Sequence, residues 1–233
     1  MPRLVSLQTI RERARWYSDT ENDTLRVTDS ALNSLINQGI AELHDKLIAS
    51  WGDAHTTKTA AFATVVNQSH YNLAADFYKM AGVQAKRDGI WYRLTPFQPT
   101  ERAKFWNAID QKARIPLQYS LTFDSTDRTI QQIELQPTPW AIENVIYTYY
   151  MTPPELAADA DELDGFAGFE EYVALWAAIR CMMRDEQDSS ALQSLFAQQS
   201  ARIDTMRPRD VAEVRTVVDS RYDLDGRMWP WGF

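Results

Sequence analysis

The sequence predicts an α+β fold: a discontinuous α-helical bundle, an inserted β-rich domain, and an extended C-terminal tail. Three observations predict it. Residues 28–51 place Leu32, Ile36, Ile40, Leu43, Leu47 and Trp51 at steps of three and four, which draws one apolar stripe along a long helix. The comparable helical stretches lie more than a hundred residues later, at 166–184 and 189–206. Between them the period changes to the alternation and β-branched content of strands. The chain therefore leaves a helical layer, builds a β region and returns. The expected divisions are a first bundle segment at 1–55, the inserted β-rich domain at 56–156, a second bundle segment at 157–207, and the tail at 208–233.

In order, Ser6 caps a first helix running to about Tyr17, with Leu7, Ile10, Ala14 and Tyr17 on one side and Arg11, Arg13 and Arg15 outward. A polar link over residues 18–26 leads to the organising helix, where Thr28 or Asp29 caps the start and Gly52 supplies the stop. Strands are expected at 60–66, 81–86, 90–95, 117–123, 130–135 and 143–150. Asp88-Gly89 marks a hairpin, because both residue types tolerate the positive φ of a type I′ turn. A short helical patch is expected at 100–108. Pro137, Pro139, Pro153 and Pro154 bracket the last strand.

An acidic segment at 157–164 then precedes the second long helix, whose stripe is Phe169, Tyr172, Val173, Trp176, Ile179 and Met183. The third carries Leu192, Leu195, Phe196, Ile203 and Met206, and Pro208 ends it. Residues 209–233 show no sustained period and finish in Met-Trp-Pro-Trp-Gly-Phe.

Composition narrows the function. At 233 residues, 45% hydrophobic and 24% charged, the chain is an ordinary globular one with room for a core. It has no apolar run long enough to span a membrane, and its start lacks the apolar core of a signal peptide, so export by that route is not expected. The lone Cys181 falls on a helix face expected to be buried and allows no intrachain disulfide. A net charge of −8 argues against a protein that grips nucleic acid through its phosphates. It suits a wall past which DNA slides without sticking.

Catalytic signatures are missing. The eight glycines form no phosphate loop, and there is no G-x-S-x-G, H-E-x-x-H or C-x-x-C. His44 is expected on the polar, solvated side of its helix, and His55 and His70 stand alone. Asp159, Asp161 and Glu170 fall at positions 1, 3 and 12 of a calcium-loop spacing. Leu163 and Asp164 occupy the positions that need a ligand and a glycine, so the segment reads as acids before a helix N-terminus. Trp16, Trp91, Trp106, Trp140 and Trp176 read as core rings, with a ligand- or glycan-binding strip at Trp91, Trp106 or Trp140 as the alternative. No cofactor or metal is expected, and no enzymatic activity.

The tail is different. Trp229, Trp231 and Phe233 would each gain on the order of 2 kcal/mol on burial. They either fold back onto their own bundle or anchor in a neighbouring protein.

Several stretches then line up in order. Val-Thr-Asp-Ser-Ala-Leu at 27–32 is followed by Ile36-Asn37 and by Glu-Leu-His-Asp-Lys-Leu at 42–47. Tyr-Asn-Leu-Ala-Ala-Asp-Phe-Tyr-Lys-Met-Ala-Gly-Val occupies 71–83. Pro-Leu-Gln-Tyr at 116–119, Pro-Thr-Pro at 137–139 and Leu-Asp-Gly-Phe-Ala-Gly-Phe-Glu-Glu-Tyr-Val at 163–173 complete the set. Together they resemble the head–tail adaptor (head-completion) proteins of tailed bacteriophages, from about Leu7 to Met206. Ala31, Ala74 and His44 depart from residues common in that pattern, and the tail is its loosest stretch.

The resemblance implies a structural protein of the virion, made in the host bacterial cytoplasm. It implies a homo-oligomeric ring, a dodecamer, below the portal protein, which extends the DNA channel and offers the tail or nozzle protein a docking surface. DNA passes without specific binding. The residues assigned to portal docking are Trp229, Trp231, Phe233 and Tyr222. Another tail-completion or nozzle component is the rival reading.

Overall fold

The computed structural model describes residues 3–21, 26–52, 57–87, 89–98, 100, 118–139, 141–165 and 168–206. The chain begins with β1 (Arg3–Ser6), whose last residue caps α1 (Leu7–Tyr17) by accepting from the Thr9 N–H. The long helix α2 (Asp29–Trp51) follows. Thr28 caps it by accepting from the Ala31 N–H, and Gly52 ends it at φ 54°. The β region then runs β2 (Thr57–Ala63), β3 (His70–Asn72), β4 (Phe77–Arg87), β5 (Ile90–Arg93), β6 (Thr95–Pro96), β7 (Gln118–Phe123), β8 (Gln131–Gln136) and β9 (Asn144–Met151). After β10 (Glu162–Gly165) the chain closes its described portion with α3 (Glu170–Arg184) and α4 (Ser190–Thr205). The fold is α+β.

One hydrophobic cluster joins the helices. The α2 stripe of Leu32, Ile36, Ile40, Leu43 and Leu47 is buried against Leu7 and Ile10 of α1 and Val173, Ala174 and Ala177 of α3. Burying each such Leu or Ile contributes about 1.5–3 kcal/mol, so the stripe is the main reason α2 stays where it is. A close approach fixes the α2–α3 crossing: a Cβ on Gly39 would sit 3.3 Å from Val173 Cγ1 and 3.4 Å from Trp176 Cε3. The antiparallel pair β1–β10 ties the N-terminal strand to the segment just before α3.

A second cluster lies between two four-stranded sheets, ordered β2-β9-β4-β5 and β3-β8-β7-β6. Val83, Ala85, Ile133, Leu135 and Val145 are its most buried members. The expected hairpin joins β4 to β5, with Arg87 opposite Ile90 and Gly89 at φ 86°. The short strands β1, β3, β6 and β10 carry too few residues for a readable alternation, and the sequence gives no sign of them.

Several expectations are corrected. Arg11 and Arg15 do not point outward; both are buried beneath acids from elsewhere in the chain. Arg11 donates to Asn33 Oδ1 at 3.0 Å and pairs with Asp159 at 2.5 Å. Arg15 donates to the Val27 carbonyl at 2.7 Å and to Asp29 at 2.8 Å. Arg13, half-buried, lies 3.6 Å from Glu170 and 3.5 Å from Glu171. The Tyr17 hydroxyl also donates to Glu171; burial first, then this bond, pushes the phenol up to about 12.

His44 is buried rather than solvated, because α2 meets the β region along that side. Trp16 is not a core ring; it is 65% exposed and stacks edge-on against Tyr17. Met183 is exposed, and of the apolar stripe expected on α4 only Ile203 is fully buried. Among the described residues α4 packs on α3 and, through its last turns, on α2. The helical patch expected at 100–108 lies outside the described residues apart from Thr100, and residues 208–233 lie wholly outside them.

Candidate docking surfaces

The contact between helices and sheets comes from α2. His44 Nε2 lies 2.8 Å from the Met151 carbonyl at the end of β9; a carbonyl only accepts, so this nitrogen carries a proton and donates there. Burial lowers the His44 pKa, against the opposing pull of that carbonyl and of Asp45. The Tyr78 hydroxyl of β4 donates to Asp45 Oδ1 at 2.5 Å, and its ring meets His44 edge-on at 5.5 Å. Beside them Asp76 accepts from Lys58 and from Tyr149, each at 2.7 Å. The Lys58 bond is the chief cause of its lowered pKa.

The outer side of α2 is open. With α3 it forms a groove of about 720 Å³ lined by Leu35, Gln38, Glu42, Trp176, Arg180 and Arg184. Arg180 lies over the Trp176 ring, 4.8 Å from its centroid, so one cation is already held in place. No charged residue falls from Ser30 to Ala41 on this helix.

Helix α4 presents the second open surface. Phe196 packs on Tyr172, with centroids 4.5 Å apart, and Ile203 sits in the core. Asp204 turns toward α2, accepting from Lys46 at 2.9 Å and Ser50 at 2.7 Å. Leu195 precedes Asp204 by two and a half turns and therefore faces away from α2; it is 42% exposed. From Ser190 to Ala201 this helix too has no charge, and most of that stretch is exposed.

The residues singled out in the sequence are dispersed. Tyr222, Trp229, Trp231 and Phe233 lie outside the described residues, as do Trp106 and Trp140. Trp91 is exposed on β5 rather than a core ring, and Trp176 is half-buried and lines the groove. The three spaced acids are otherwise engaged: Asp159 pairs with Arg11, Asp161 accepts the Ala157 and Ala158 N–H groups, and Glu170 lies beside Arg13. Cys181 is buried, and burial raises its thiol pKa. Among the described residues no group of three or more His, Cys, Asp or Glu could hold a metal ion, and no helix is long and apolar enough to cross a membrane. The Arg11–Arg15 clamp was the site sequence reasoning missed. Its signal was the i, i+4 spacing of the two arginines, which puts them on one face.

The chain matches the family model of the SU10 adaptor protein over residues 6–221, which takes in all of α1 to α4 and stops just short of Tyr222. No curated protein matches it.

Proposed function

The chain belongs to the SU10 adaptor protein family, a phage adaptor family of structural virion proteins, and from that premise we propose that it is the head–tail adaptor of its particle. In this reading it is non-enzymatic and forms a homo-oligomeric ring, a dodecamer, beneath the portal protein. The ring extends the DNA channel and gives the tail or nozzle protein a surface to dock on. The helical bundle, 1–55 with 157–207, frames the ring, and the inserted 56–156 stands apart from it. The tail, 208–233, reaches the portal and anchors there through Trp229, Trp231, Phe233 and Tyr222. DNA meets an acidic wall and passes.

The observation that carries the reading is the outer face of α4. A chain that is 24% charged leaves a run of Ala, Ser, Gln and Leu exposed on α4, from Ser190 to Ala201, without one charge in it. A monomer gains nothing from that face, whereas depletion of charge is the mark of an interface core. The open α2–α3 groove lies on another side, so a copy presenting α4 to its neighbour's groove makes a head-to-tail contact that a rotation can close into a ring.

Three variants test it. Trp229→Ala with Trp231→Ala should leave the melting temperature of the free chain unchanged and weaken its capture by purified portal rings. Leu195→Glu should leave both the fold and tail anchoring intact and reduce the number of copies per portal. Leu43→Asp, in the core, should prevent folding. A tail double variant that loses as much thermal stability as the core variant would place the tail in its own bundle and remove its anchoring role.

A further inference from the structure

The four-stranded sheet β2-β9-β4-β5 has one end against the bundle and one end away from it. At the near end lie Met151, whose carbonyl meets His44, and Tyr78, which meets Asp45. The far end follows from the register: Ala63 and Lys86 both pair with Asn144, and Lys86 also pairs with Trp91. Just beyond that row come Val65, Val66, Ile142 and Ile90, with Trp91 and Tyr92 beside them. Val65, Val66 and Ile142 extend the neighbouring strands β2 and β9, while Ile90, Trp91 and Tyr92 lie on β5, two strands from β9, with the Lys86 end of β4 between the two groups; together they make up the rim at this sheet end.

All six are exposed, Ile142 by 73%, Ile90 by 58% and Val65 by 53%. Scattered surface aliphatics are ordinary, but two exposed apolar groups gathered at one sheet end are not. The rim is also built. The buried Thr64 donates its N–H to the Glu143 carbonyl at 2.8 Å and its hydroxyl to the Ala141 carbonyl at 2.9 Å, and its oxygen accepts the Glu143 N–H at 2.8 Å. The Tyr71 hydroxyl accepts the Val65 N–H at 2.9 Å and donates to the Gln68 carbonyl at 2.8 Å. Asn67, at φ 63°, donates to the Pro139 carbonyl at 2.8 Å. These bonds satisfy the backbone inward and leave Val65, Val66 and Ile142 turned out. A surface fixed in advance loses little entropy when a partner covers it.

We infer that this rim is where the tail-side protein of the particle docks, through an apolar strip flanked by carboxylates. The local charge selects that chemistry. In a chain of net charge −8 Lys86 sits at the rim, over the Trp91 ring at 5.5 Å, and Arg93 stands two residues further in on β5, against the single described carboxylate there, Glu143. A second copy of this acidic chain offers flanking carboxylates too, and an anionic lipid surface also fits aliphatics and cations. The rim's place at the end remote from the helices favours the tail-side protein, provided the helices and tail serve the portal; the inference rests on that reading.

The test uses portal rings loaded with the full chain and purified tail-side protein of the same particle. Val65→Asp with Ile142→Asp is one variant and Trp91→Ala a second, gentler one. Both should melt like the wild type and load portal rings in full, yet capture the tail-side protein at least tenfold more weakly. Undiminished capture overturns the inference. So does a rim variant that loses ring loading, which would make the rim a copy–copy contact. Wild-type binding to phosphatidylglycerol vesicles that the variants lose, with tail-side capture intact, overturns it in favour of lipid. If the wild type ignores the portal but captures the tail-side protein through the rim, the adaptor reading falls and the rim stands; if it binds neither, both fall.

Discussion

Asn37 holds both backbone polar groups of Leu156. Its Nδ2 donates to the Leu156 carbonyl at 2.9 Å, and its Oδ1 accepts the Leu156 N–H at 3.0 Å. A side chain in mid-α2 thus acts as a strand partner for the segment that leaves the β region, and it seats the Leu156 side chain in the helical cluster. Asn37→Ala should cost about 1 kcal/mol, because two part-buried backbone groups lose their partner. Asn37→Asp should cost no less, since it sets a carboxylate oxygen against the Leu156 carbonyl. Urea unfolding of the three proteins measures both, and an Asp variant as stable as wild type contradicts the pairing.

Arg15 gathers the link between α1 and α2. It donates to the Thr20 carbonyl at 3.3 Å, the Val27 carbonyl at 2.7 Å and Asp29 at 2.8 Å. Arg15→Met keeps the apolar stem but strands the carbonyls, for a loss of about 1–3 kcal/mol. The Arg15 bond is the first cause of the lowered Asp29 pKa. A carboxyl whose folded pKa is depressed stabilises above its ordinary pKa and loses that contribution as pH falls below it. Stability measured from pH 5 downward should therefore fall less steeply in Arg15→Met than in the wild type.

His44 has the same sign for a different reason. Burial depresses its folded pKa below 6.5, so its contribution is present while the ring is neutral, above that pH. It is lost as pH falls and the unfolded chain takes up the proton more readily. Proton NMR titration should place the His44 midpoint below that of free histidine. A midpoint above it would mean that Asp45 outweighs burial.

Gly39 sets how near α2 comes to α3. Gly39→Leu should destabilise by about 1–3 kcal/mol through overpacking against Val173 and Trp176. Gly39→Ala gains helix propensity of roughly 1 kcal/mol and meets contacts that are tight by a few tenths of an ångström, so it should be nearly neutral. Thermal melts that rank Leu above Ala would show the crossing to be loose.

Much of this fold was legible because the strongest signals were long. The α2 stripe, the Thr28 cap and the Asp88-Gly89 hairpin each follow from local periodicity or turn chemistry, and each lies where expected. What escaped depends on partners remote in sequence. Arg11 is buried where Asn33 and Asp159, the latter well over a hundred residues further on, return to meet it. His44 is buried because β9 ends against it. The spacing of Leu195 points it into a core, but among the described residues α4 packs chiefly on α3 and α2, and Leu195 stays exposed. The far rim was illegible for a related reason: Val65, Ile90 and Ile142 are brought to one sheet end only through strand pairing, which no local window contains.

The most direct measurement of the central claim is the mass of the purified chain by light scattering, alone and mixed with its portal ring, beside a chain truncated after Arg209. The expected result is a small free species that joins the portal as a full ring only when its tail is present. A full-length chain that ignores the portal, just as the truncated one does, would contradict the adaptor role.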